Sequence, residues 1–254
     1  MTGASSGIGL HLALGLARRG YDLVIGAEDD ELEDAAAAVR SEGAQVRSVQ
    51  GDLRRPSGVE DFYAAVTEDG RPLAVLALNA GVGKGGAFVD NDLEDELPLI
   101  ALNVTATVHL AKLALRDMVR NDSGRVLFTS SIASEMPGSF QAVYNASKSF
   151  IQSFAQALQN ELKDSAVTIT SLMPGPTDTE FFDRAGMSDT KIGQAKKDDP
   201  AQVAEQGLDA LLAGKSRVTG GGLKTRVQDV ASKVVPDKVK AAMHRSMAEP
   251  GSGD

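Results

Sequence analysis

Short apolar runs alternate with segments of helical periodicity along most of this chain. Residues 73–78 are continuously apolar, as expected of a strand that is covered on both faces of a sheet. Further strands are predicted at residues 21–27, 45–51, 125–129 and 167–173, and helices at 10–19, 29–42, 56–69, 92–120, 141–163 and 200–213. This alternation predicts a parallel sheet with helices on both faces and right-handed crossovers.

The pattern shows no linker and no internal repeat, so the sequence predicts a single α/β domain with a doubly wound parallel sheet over residues 1–213. Residues 176–199 lack periodicity. Such a long loop is typical of a lid or binding loop, the alternative being a disordered surface excursion. Helical patterns at 223–233 and 236–247 predict a C-terminal extension over residues 214–254 that ends in a mobile tail.

Composition narrows the class of partner. The 254 residues carry a net charge of -9, which argues against nucleic acid or an anionic membrane, since both require a basic face. The absence of cysteine excludes disulfides, thiolate metal sites and a cysteine nucleophile. We see no apolar stretch of membrane-spanning length and no signal pattern, so we expect a cytoplasmic protein.

A glycine-rich stretch, Thr2-Gly3-Ala4-Ser5-Ser6-Gly7-Ile8-Gly9, stands directly before the first helical run. Glycine permits tight turns and close approach of a ligand to the backbone. The N-terminus of the following helix presents unpaired N–H groups and the positive end of the helix dipole. The stretch therefore predicts a phosphate site, the alternative being a plain tight turn with a small-residue helix start.

Ligands of open parallel sheets bind beyond the carboxyl ends of the strands. We therefore examine the polar residues at the predicted strand ends. They are the glycine-rich stretch, Glu28, Asp52, Asn79, Ser130, Ser131, Thr177 and Thr179.

Tyr144 and Lys148 lie four residues apart in a predicted helix and hence on one face of it. An ammonium beside a phenol favours the phenolate, so we expect a lowered pKa for Tyr144 and proton exchange near neutral pH. The alternative is an exposed lysine on a helix that carries a packed tyrosine.

Two further residues complete the candidate chemistry. Ser131, with Ser130 as its rival, ends a predicted strand and could hold a carbonyl oxygen or merely cap a turn. Asn103 lies within a helical pattern although asparagine is a poor helix former. Taken alone, it would be a solvent-facing residue or one that bonds a nearby carbonyl.

Together these features resemble the short-chain dehydrogenase/reductase family. The glycine-rich stretch is similar to its T-G-x-x-x-G-x-G cofactor motif, and Asn79-Ala80-Gly81 is similar to its N-A-G motif. Asn103, Ser131, Tyr144 and Lys148 match the order and spacing of its catalytic tetrad, and Pro174-Gly175 with Thr177 and Thr179 matches the segment beside the nicotinamide. The resemblance extends from residue 2 to about residue 213.

The resemblance implies a Rossmann-like fold, NAD or NADP as cofactor and no metal. It implies that Tyr144 exchanges a proton with the substrate oxygen, that Lys148 lowers its pKa and bonds the nicotinamide ribose, and that Ser131 holds the carbonyl. Asn103 would support a proton relay through Lys148. The implied cofactor contacts are Gly3, Ser5, Ser6, Gly7, Ile8, Gly9, Glu28, Asp52, Leu53, Asn79, Ala80, Gly81, Tyr144, Lys148, Pro174, Gly175, Thr177 and Thr179.

Glu28 follows the second strand of the family's fold, where the cofactor ribose is recognised. A carboxylate there bonds ribose hydroxyls and repels a 2′-phosphate, whereas an arginine does the opposite. Glu28 therefore favours NAD. The alternative is that Glu28 points into water.

The chain departs from the family pattern at both ends. The central strand that the family places before the glycine-rich stretch is missing from the sequence, which would leave ladder groups of two strands unpaired. We therefore expect that the true start lies upstream or that another segment fills the slot. Near the C-terminus, a basic amphipathic helical pair stands where many relatives have a strand and a short tail. It could cover the active site, contact a partner subunit or lie at the edge of the domain, and the last is favoured.

These features predict an NAD(P)-dependent oxidoreductase that interconverts a carbonyl and an alcohol on a small-molecule substrate. Family habit implies a homodimer or homotetramer. The alternative is a catalytically silent dinucleotide-binding sensor or scaffold. A hydrolase lacks support, since Ser131 has no nucleophile-elbow sequence around it.

Overall fold

The computed structural model describes residues 1–232 and 235–253. Its strands are β1 (Leu23–Ala27), β2 (Val46–Gln50), β3 (Val75–Leu78), β4 (Gly124–Thr129), β5 (Val167–Pro174) and β6 (Arg217–Gly220). The helices are α1 (Gly7–Arg18), α2 (Glu31–Ser41), α3 (Pro56–Thr67), α4 (Leu93–Ile100), α5 (Thr107–Arg120), α6 (Ala142–Glu161), α7 (Phe181–Arg184), α8 (Lys191–Gln194), α9 (Pro200–Leu212), α10 (Leu223–Ser232) and α11 (Asp237–Ala248). Residue 233 of the predicted helix 223–233 lies outside the described residues.

The strands form a parallel α/β sheet in two sections, β2-β1 and β3-β4-β5-β6. Met1 and Thr2 lie between the sections. Thr2 pairs in parallel with Gly26 of β1, and its N–H donates to the carbonyl oxygen of Ala77 in β3 at 3.1 Å. The Gly26 N–H donates to the Met1 carbonyl at 2.9 Å. The slot that the sequence leaves between these strands thus holds Met1 and Thr2, and the predicted doubly wound, Rossmann-like sheet is confirmed.

Side chains of successive strand residues enter opposite faces of the sheet. Ala77 belongs to one buried cluster, with α1 and α9, whereas Leu76 and Leu78 belong to the other, with α3, α5 and α6. Leu127 and Phe128 of β4 divide in the same way. Burial on both faces explains why these strands are apolar without alternation.

The sequence pattern did not predict two features of the structure, the strand β6 and the short helices α7 and α8. β6 pairs with β5, so the expectation that a helical pair stands in place of a closing strand is wrong. The two predicted helices are nevertheless present, as α10 and α11. The four residues of β6 include only one apolar side chain, Val218, which leaves no periodic signal. The segment 176–199 contains two helices of four residues, α7 and α8.

The prediction that no apolar stretch reaches membrane-spanning length is wrong as a statement of length and composition. The helix Leu93–Arg120 has 28 residues and a mean hydropathy of 1.4 in its most apolar window. A helix in the core of a soluble protein can have the same length and hydropathy. Leu110, Ala111 and Ala114 of this helix are buried in the cluster on one face of the sheet, whereas Leu93 and Leu97 are exposed, so one side of the helix packs on the core.

Candidate active site

The glycine-rich stretch is a tight loop that leads from Thr2 into α1. Gly3 and Gly7 have φ values of +64° and +54°, which favour glycine strongly. Gly9, in the first turn of α1, lies directly against the same loop: a Cβ there would be 1.8 Å from the Gly3 carbonyl oxygen. Ser6 precedes the helix in an extended conformation. The first-turn N–H groups of a helix lack intrahelical partners, so this loop suits an anionic diphosphate.

Asn79 follows β3 and joins the loop to the next strand. Its side-chain amide donates to the Gly3 carbonyl at 3.1 Å, and its side-chain oxygen accepts from the Thr129 hydroxyl at 3.1 Å. The backbone N–H groups of Asn79 and Ala80 both donate to the Thr2 hydroxyl, at 3.1 and 3.2 Å. Asn79 therefore aligns the ends of three neighbouring segments of the sheet.

The two serines after β4 differ in their surroundings. The Ser130 hydroxyl is buried and donates to the backbone carbonyl of Lys148 at 3.2 Å. The Ser131 hydroxyl accepts from the Ala133 N–H at 3.0 Å, lies 3.4 Å from the Pro174 carbonyl oxygen and interacts with Tyr144. Ser131, rather than its rival Ser130, thus faces the phenol.

Tyr144 and Lys148 lie on one face of α6, as their spacing predicts. Lys148 is 6% exposed, and its Nζ lies 5.9 Å from the centre of the Tyr144 ring. That nitrogen donates to the Thr129 carbonyl oxygen at 3.0 Å. The ammonium is therefore held between the phenol and the carboxyl end of β4.

The expected lowering of the Tyr144 pKa is wrong for this structure. Burial raises the pKa of Tyr144 to about 12, and the hydrogen bond with Ser131 opposes this rise. Burial also lowers the pKa of Lys148 to about 8. Spacing in the helix places the ammonium near the phenol, but removal of both groups from water opposes their charged forms.

Asn103 lies in a π-helical turn, Ala101–Ala106, between α4 and α5. Its side-chain oxygen accepts from the Val82 N–H and its amide donates to the Val82 carbonyl, both at 2.9 Å. The amide also donates to Ser147 in α6 at 3.0 Å. A Cβ on Gly81 would lie 3.2 Å from both the Asn103 side-chain oxygen and Lys148 Nζ. Within this π-helical turn, the Asn103 side chain is directed toward the backbone of Val82, next to Lys148.

The carboxylates that follow β1 and β2 line the cleft at the end away from Tyr144 and Lys148. Glu28 is exposed and pairs with Arg54 at 2.6 Å, and Arg54 also bonds Asp52 at 2.7 Å, which lowers the pKa of Asp52. Asp29 accepts from the Ser5 hydroxyl at 3.0 Å through one oxygen. Its other oxygen is buried and has no hydrogen-bond partner among the residues that the structure describes. Asp29 therefore holds a free acceptor beside the glycine-rich loop.

The segment after β5 lies across the loop. A Cβ on Gly7 would lie 2.8 Å from the methyl carbon of Thr179. Arg184 of α7 approaches Asp29 at 3.8 Å. The hydroxyl of Thr177 donates to the Gly175 carbonyl at 2.9 Å. Residues 176–184 thus cover the entrance of the loop.

A single cleft brings the predicted residues together. All of the predicted site residues line it except Asn103, which lies behind Gly81. Four further lining residues, Phe181, Phe182, Arg184 and Ile192, lie in the segment 176–199, which the sequence predicts as a lid or binding loop. The sequence analysis missed the lining residues Asp29, His244 and Met247. Asp29 was within reach of the strand-end argument, whereas His244 and Met247 stand in α11 with no local signal. The expectation of an edge position is therefore wrong for α11.

The cleft has the parts that a dinucleotide requires. A glycine loop opens a helix at its centre, and the unpartnered Asp29 oxygen lies at one end. Ser131, Tyr144 and Lys148 lie at the other end, beyond β4. Fold and site together define a dinucleotide-binding enzyme of the doubly wound α/β class.

Comparison with known proteins agrees with this class. The sequence profile described as "short chain dehydrogenase" matches residues 1–189. An uncharacterized oxidoreductase of Staphylococcus saprophyticus is 30% identical over 213 residues, which cover 83% of this chain and 89% of that protein. Gluconate 5-dehydrogenase of Gluconobacter oxydans is 29% identical over 72% of both chains.

Solved structures are similar over nearly the whole chain. A short-chain dehydrogenase from Sphingobium yanoikuyae in complex with NADPH has a TM-score of 0.81 and 30% identity, covering 92% of this chain and 91% of that one. An enzyme of this kind from Burkholderia phymatum in complex with NAD has a TM-score of 0.82 at 22% identity, over 91% of this chain and 89% of that one, and shows the likeness of fold.

This chain belongs to the short-chain dehydrogenase/reductase family. It is an oxidoreductase that depends on NAD or NADP.

Proposed function

We propose that this enzyme interconverts a carbonyl group and a secondary alcohol on a small molecule, with Ser131, Tyr144 and Lys148 around the reacting oxygen. The observation that carries the proposal is the meeting of these three side chains beyond β4, in the same cleft as the glycine-rich loop. When bound, NAD or NADP supplies or accepts the hydride.

In carbonyl reduction, the Tyr144 hydroxyl donates its proton to the carbonyl oxygen, and the Ser131 hydroxyl donates a hydrogen bond to the same oxygen. The Lys148 ammonium stabilises the phenolate that forms on Tyr144. With a pKa near 12, Tyr144 is protonated at neutral pH, which is the form that reduction requires.

Asn103 acts as a positioning residue in this proposal. Its paired hydrogen bonds to Val82 and its contact with Ser147 fix the chain at Gly81 against α6. Lys148 Nζ lies beside that chain. Asn103 therefore supports the setting of Lys148 without lining the cleft.

We propose NAD as the preferred cofactor. Glu28, which pairs with Arg54, and Asp29, which lies 3.8 Å from Arg184, both border the end of the cleft next to Ser5. A 2′-phosphate there would add negative charge beside these two carboxylates. The buried, unpartnered oxygen of Asp29 suits a ribose hydroxyl, which can donate to it. Asp29 thereby adds to the role that the sequence predicts for Glu28.

We also propose that the enzyme forms a homodimer or homotetramer in the cytoplasm. Support for assembly comes from an apolar surface on α4 and α6, where Leu93 is 63% exposed, Leu97 53% and Phe150 44%. A second copy that presents the same surface would cover it through twofold symmetry. Light scattering of the wild type and of Leu97→Glu tests this: a monomeric wild type would refute assembly.

The catalytic proposal is tested on the wild type and Tyr144→Phe. NADH and NADPH binding is followed by cofactor fluorescence, and turnover is followed across a panel of aliphatic and aryl ketones. We expect wild-type turnover, loss of at least about 1,000-fold in kcat/KM in Tyr144→Phe, and nearly unchanged cofactor affinity.

Each other result has a definite meaning. Retained turnover in Tyr144→Phe refutes the role of the phenol. Cofactor binding by the wild type without turnover of any ketone or alcohol favours the catalytically silent sensor or scaffold.

A further inference from the structure

The C-terminal helix α11 and the residues after it pack on two segments near the cleft, residues 135–139 and residues 182–189. Lys240 Nζ donates to the Glu135 carbonyl at 3.0 Å, and the Ser139 hydroxyl donates to the Ala241 carbonyl at 3.1 Å. Beyond the helix, the Gly253 N–H donates to the Asp189 carbonyl at 2.9 Å. Ala248 is buried with Phe182 and Met187. These contacts hold α11 over the region between Tyr144 and α8.

His244 is the inward-facing polar residue of this helix. It is 3% exposed and lines the cleft together with Met247. Its Nδ1 lies 2.9 Å from the Ser139 carbonyl oxygen. A carbonyl oxygen can only accept, so Nδ1 carries the hydrogen and the neutral ring has its lone pair on Nε2. Burial lowers the pKa of His244 and so favours the neutral ring, while the hydrogen bond to Ser139 opposes this shift.

The surroundings of His244 on this side of the cleft are mainly apolar. The lining includes Met136, Phe181, Phe182, Ile192 and Met247. The Phe181 ring lies 5.0 Å from the Tyr144 ring, centre to centre. Such walls suit an aromatic or cyclic hydrocarbon framework next to the reacting carbon. An acceptor among apolar walls discriminates strongly, because a ligand without a matching donor leaves it desolvated and unpaired.

We propose that His244 is a specificity residue whose Nε2 accepts a hydrogen bond from a hydroxyl or N–H group of a hydrophobic carbonyl substrate. The inference rests on the proposed function and names the substrate class: an aryl or cyclic ketone, or its alcohol, with a second donor group away from the reacting carbon. α11 lies beyond residues 1–189, which match the family, so this selectivity belongs to the chain's own C-terminal part.

The test uses pairs of aryl ketones and tetralones that carry either a hydroxyl or a methoxy group at the same ring position. The methoxy partner keeps the oxygen but loses the donor. We expect the wild type to prefer the hydroxyl partner by at least about 10-fold in kcat/KM for one or more positions. Binding of the same pairs to the NAD-loaded protein, measured by calorimetry, provides a readout independent of turnover.

Two variants and a control separate recognition from packing. His244→Asn retains an amide donor near the position of Nδ1 and removes Nε2, and His244→Phe removes both nitrogens. We expect the hydroxyl-to-methoxy ratio to fall to about 1 in both variants, because only the hydroxyl partner loses a hydrogen bond. Met247→Leu, a change in the apolar wall alone, is expected to move both partners together and leave the ratio intact.

A wild-type ratio below about threefold at every ring position overturns the inference, and so does a ratio that persists in His244→Asn. If calorimetry shows the preference but no ketone is turned over, the catalytic proposal fails while the recognition by His244 stands.

Discussion

Lys148 donates a hydrogen bond from its buried ammonium to the Thr129 carbonyl oxygen at 3.0 Å, 5.9 Å from the Tyr144 ring centre. One carbonyl at the end of β4 is a weak compensation for an ammonium that has left water. Burial accordingly lowers the pKa of Lys148 to about 8. The residue proposed to stabilise a phenolate therefore weakens the fold that holds it.

This relationship predicts a pH-dependent stability that Lys148→Met should remove. An unfolded lysine titrates near pH 10.4, so between pH 8 and that value the unfolded chain binds more protons than the folded one. Stability then rises with pH. From pH 7 to pH 9.5 we expect the wild type to gain about 2 kcal/mol relative to Lys148→Met. Urea unfolding followed by circular dichroism measures this gain, since the chain has no tryptophan.

The comparison between the two proteins cancels the titration of all other groups that both share. Equal pH dependence in the wild type and Lys148→Met would show that Lys148 titrates normally and would contradict the burial argument.

Gly7→Ala should weaken both the fold and cofactor binding. The new Cβ meets the Thr179 methyl carbon at 2.8 Å, in a residue with φ of +54°. We expect a loss of about 2–4 kcal/mol in unfolding free energy and at least about 10-fold weaker NADH binding. Adding Thr179→Ser removes the methyl and keeps the hydroxyl, so it should restore part of both losses.

Gly20→Ala is the matched control for that substitution. Gly20 has φ of +81° and open space where the Cβ would stand, so only the backbone cost of about 1–2 kcal/mol should appear. Equal losses at the two glycines would mean that contact with Thr179 is unimportant.

Glu28→Gln and Asp29→Asn should change cofactor affinity in different ways. Arg54 pairs with both Glu28 and Asp52, so Glu28→Gln removes one of its two carboxylate partners and should tighten NADPH binding about 5–10-fold with little effect on NADH. Asp29→Asn weakens an acceptor beside Ser5 and should lower NADH affinity by about 5-fold or more. Fluorescence titrations with both cofactors measure the four constants. A larger loss of NADH affinity in Glu28→Gln than in Asp29→Asn would assign the ribose contact to Glu28.

Arg217→Met should destabilise the C-terminal part of the domain. Arg217 joins the Glu135 carboxylate at 3.0 Å and the Asp229 carboxylate at 2.5 Å, and the Asp229 side chain is 6% exposed. Removing the cation leaves a buried carboxylate with weaker compensation. We expect a loss of about 2–3 kcal/mol, below the usual 3–5 kcal/mol for a broken buried pair because Arg217 keeps some contact with water.

Arg18→Met serves as the control, since Arg18 pairs with Glu42 at 2.6 Å on the surface with 58% of its side chain exposed. It should not shift the urea midpoint measurably. A shift as large as that of Arg217→Met would show that the difference in burial between the two pairs is irrelevant.

The fold and the centre of the site could be predicted because they rest on local patterns. Apolar runs such as 73–78 and the amphipathic segments between them require a parallel sheet with two covered faces. In such a sheet the carboxyl ends of the strands meet at one edge. That geometry predicts, without reference to side-chain packing, that Ser131 and the glycine-rich loop line the same cleft. The spacing of Tyr144 and Lys148 places both on one face of α6.

Other features depended on tertiary structure. β6 has too few apolar residues to be recognised along the chain and exists because β5 offers it an edge. The pKa of Tyr144 rises rather than falls because the folded chain removes the phenol from water. In the folded chain Glu28 forms an ion pair with Arg54. One buried oxygen of Asp29 has no hydrogen-bond partner among the described residues.

The clearest division lies between Tyr144 and His244. Tyr144 and Lys148 are four residues apart in one helix, so their position on the same helix face follows from the sequence itself. His244 meets Ser139 from 105 positions away, and no local pattern encodes that contact. The sequence by itself therefore determined the doubly wound sheet and which polar side chains stand at its strand ends. Only the tertiary structure decided that α11 lines the cleft and which carboxylate oxygen lacks a hydrogen-bond partner among the described residues, because burial and long-range contacts arise from the packing of the whole chain.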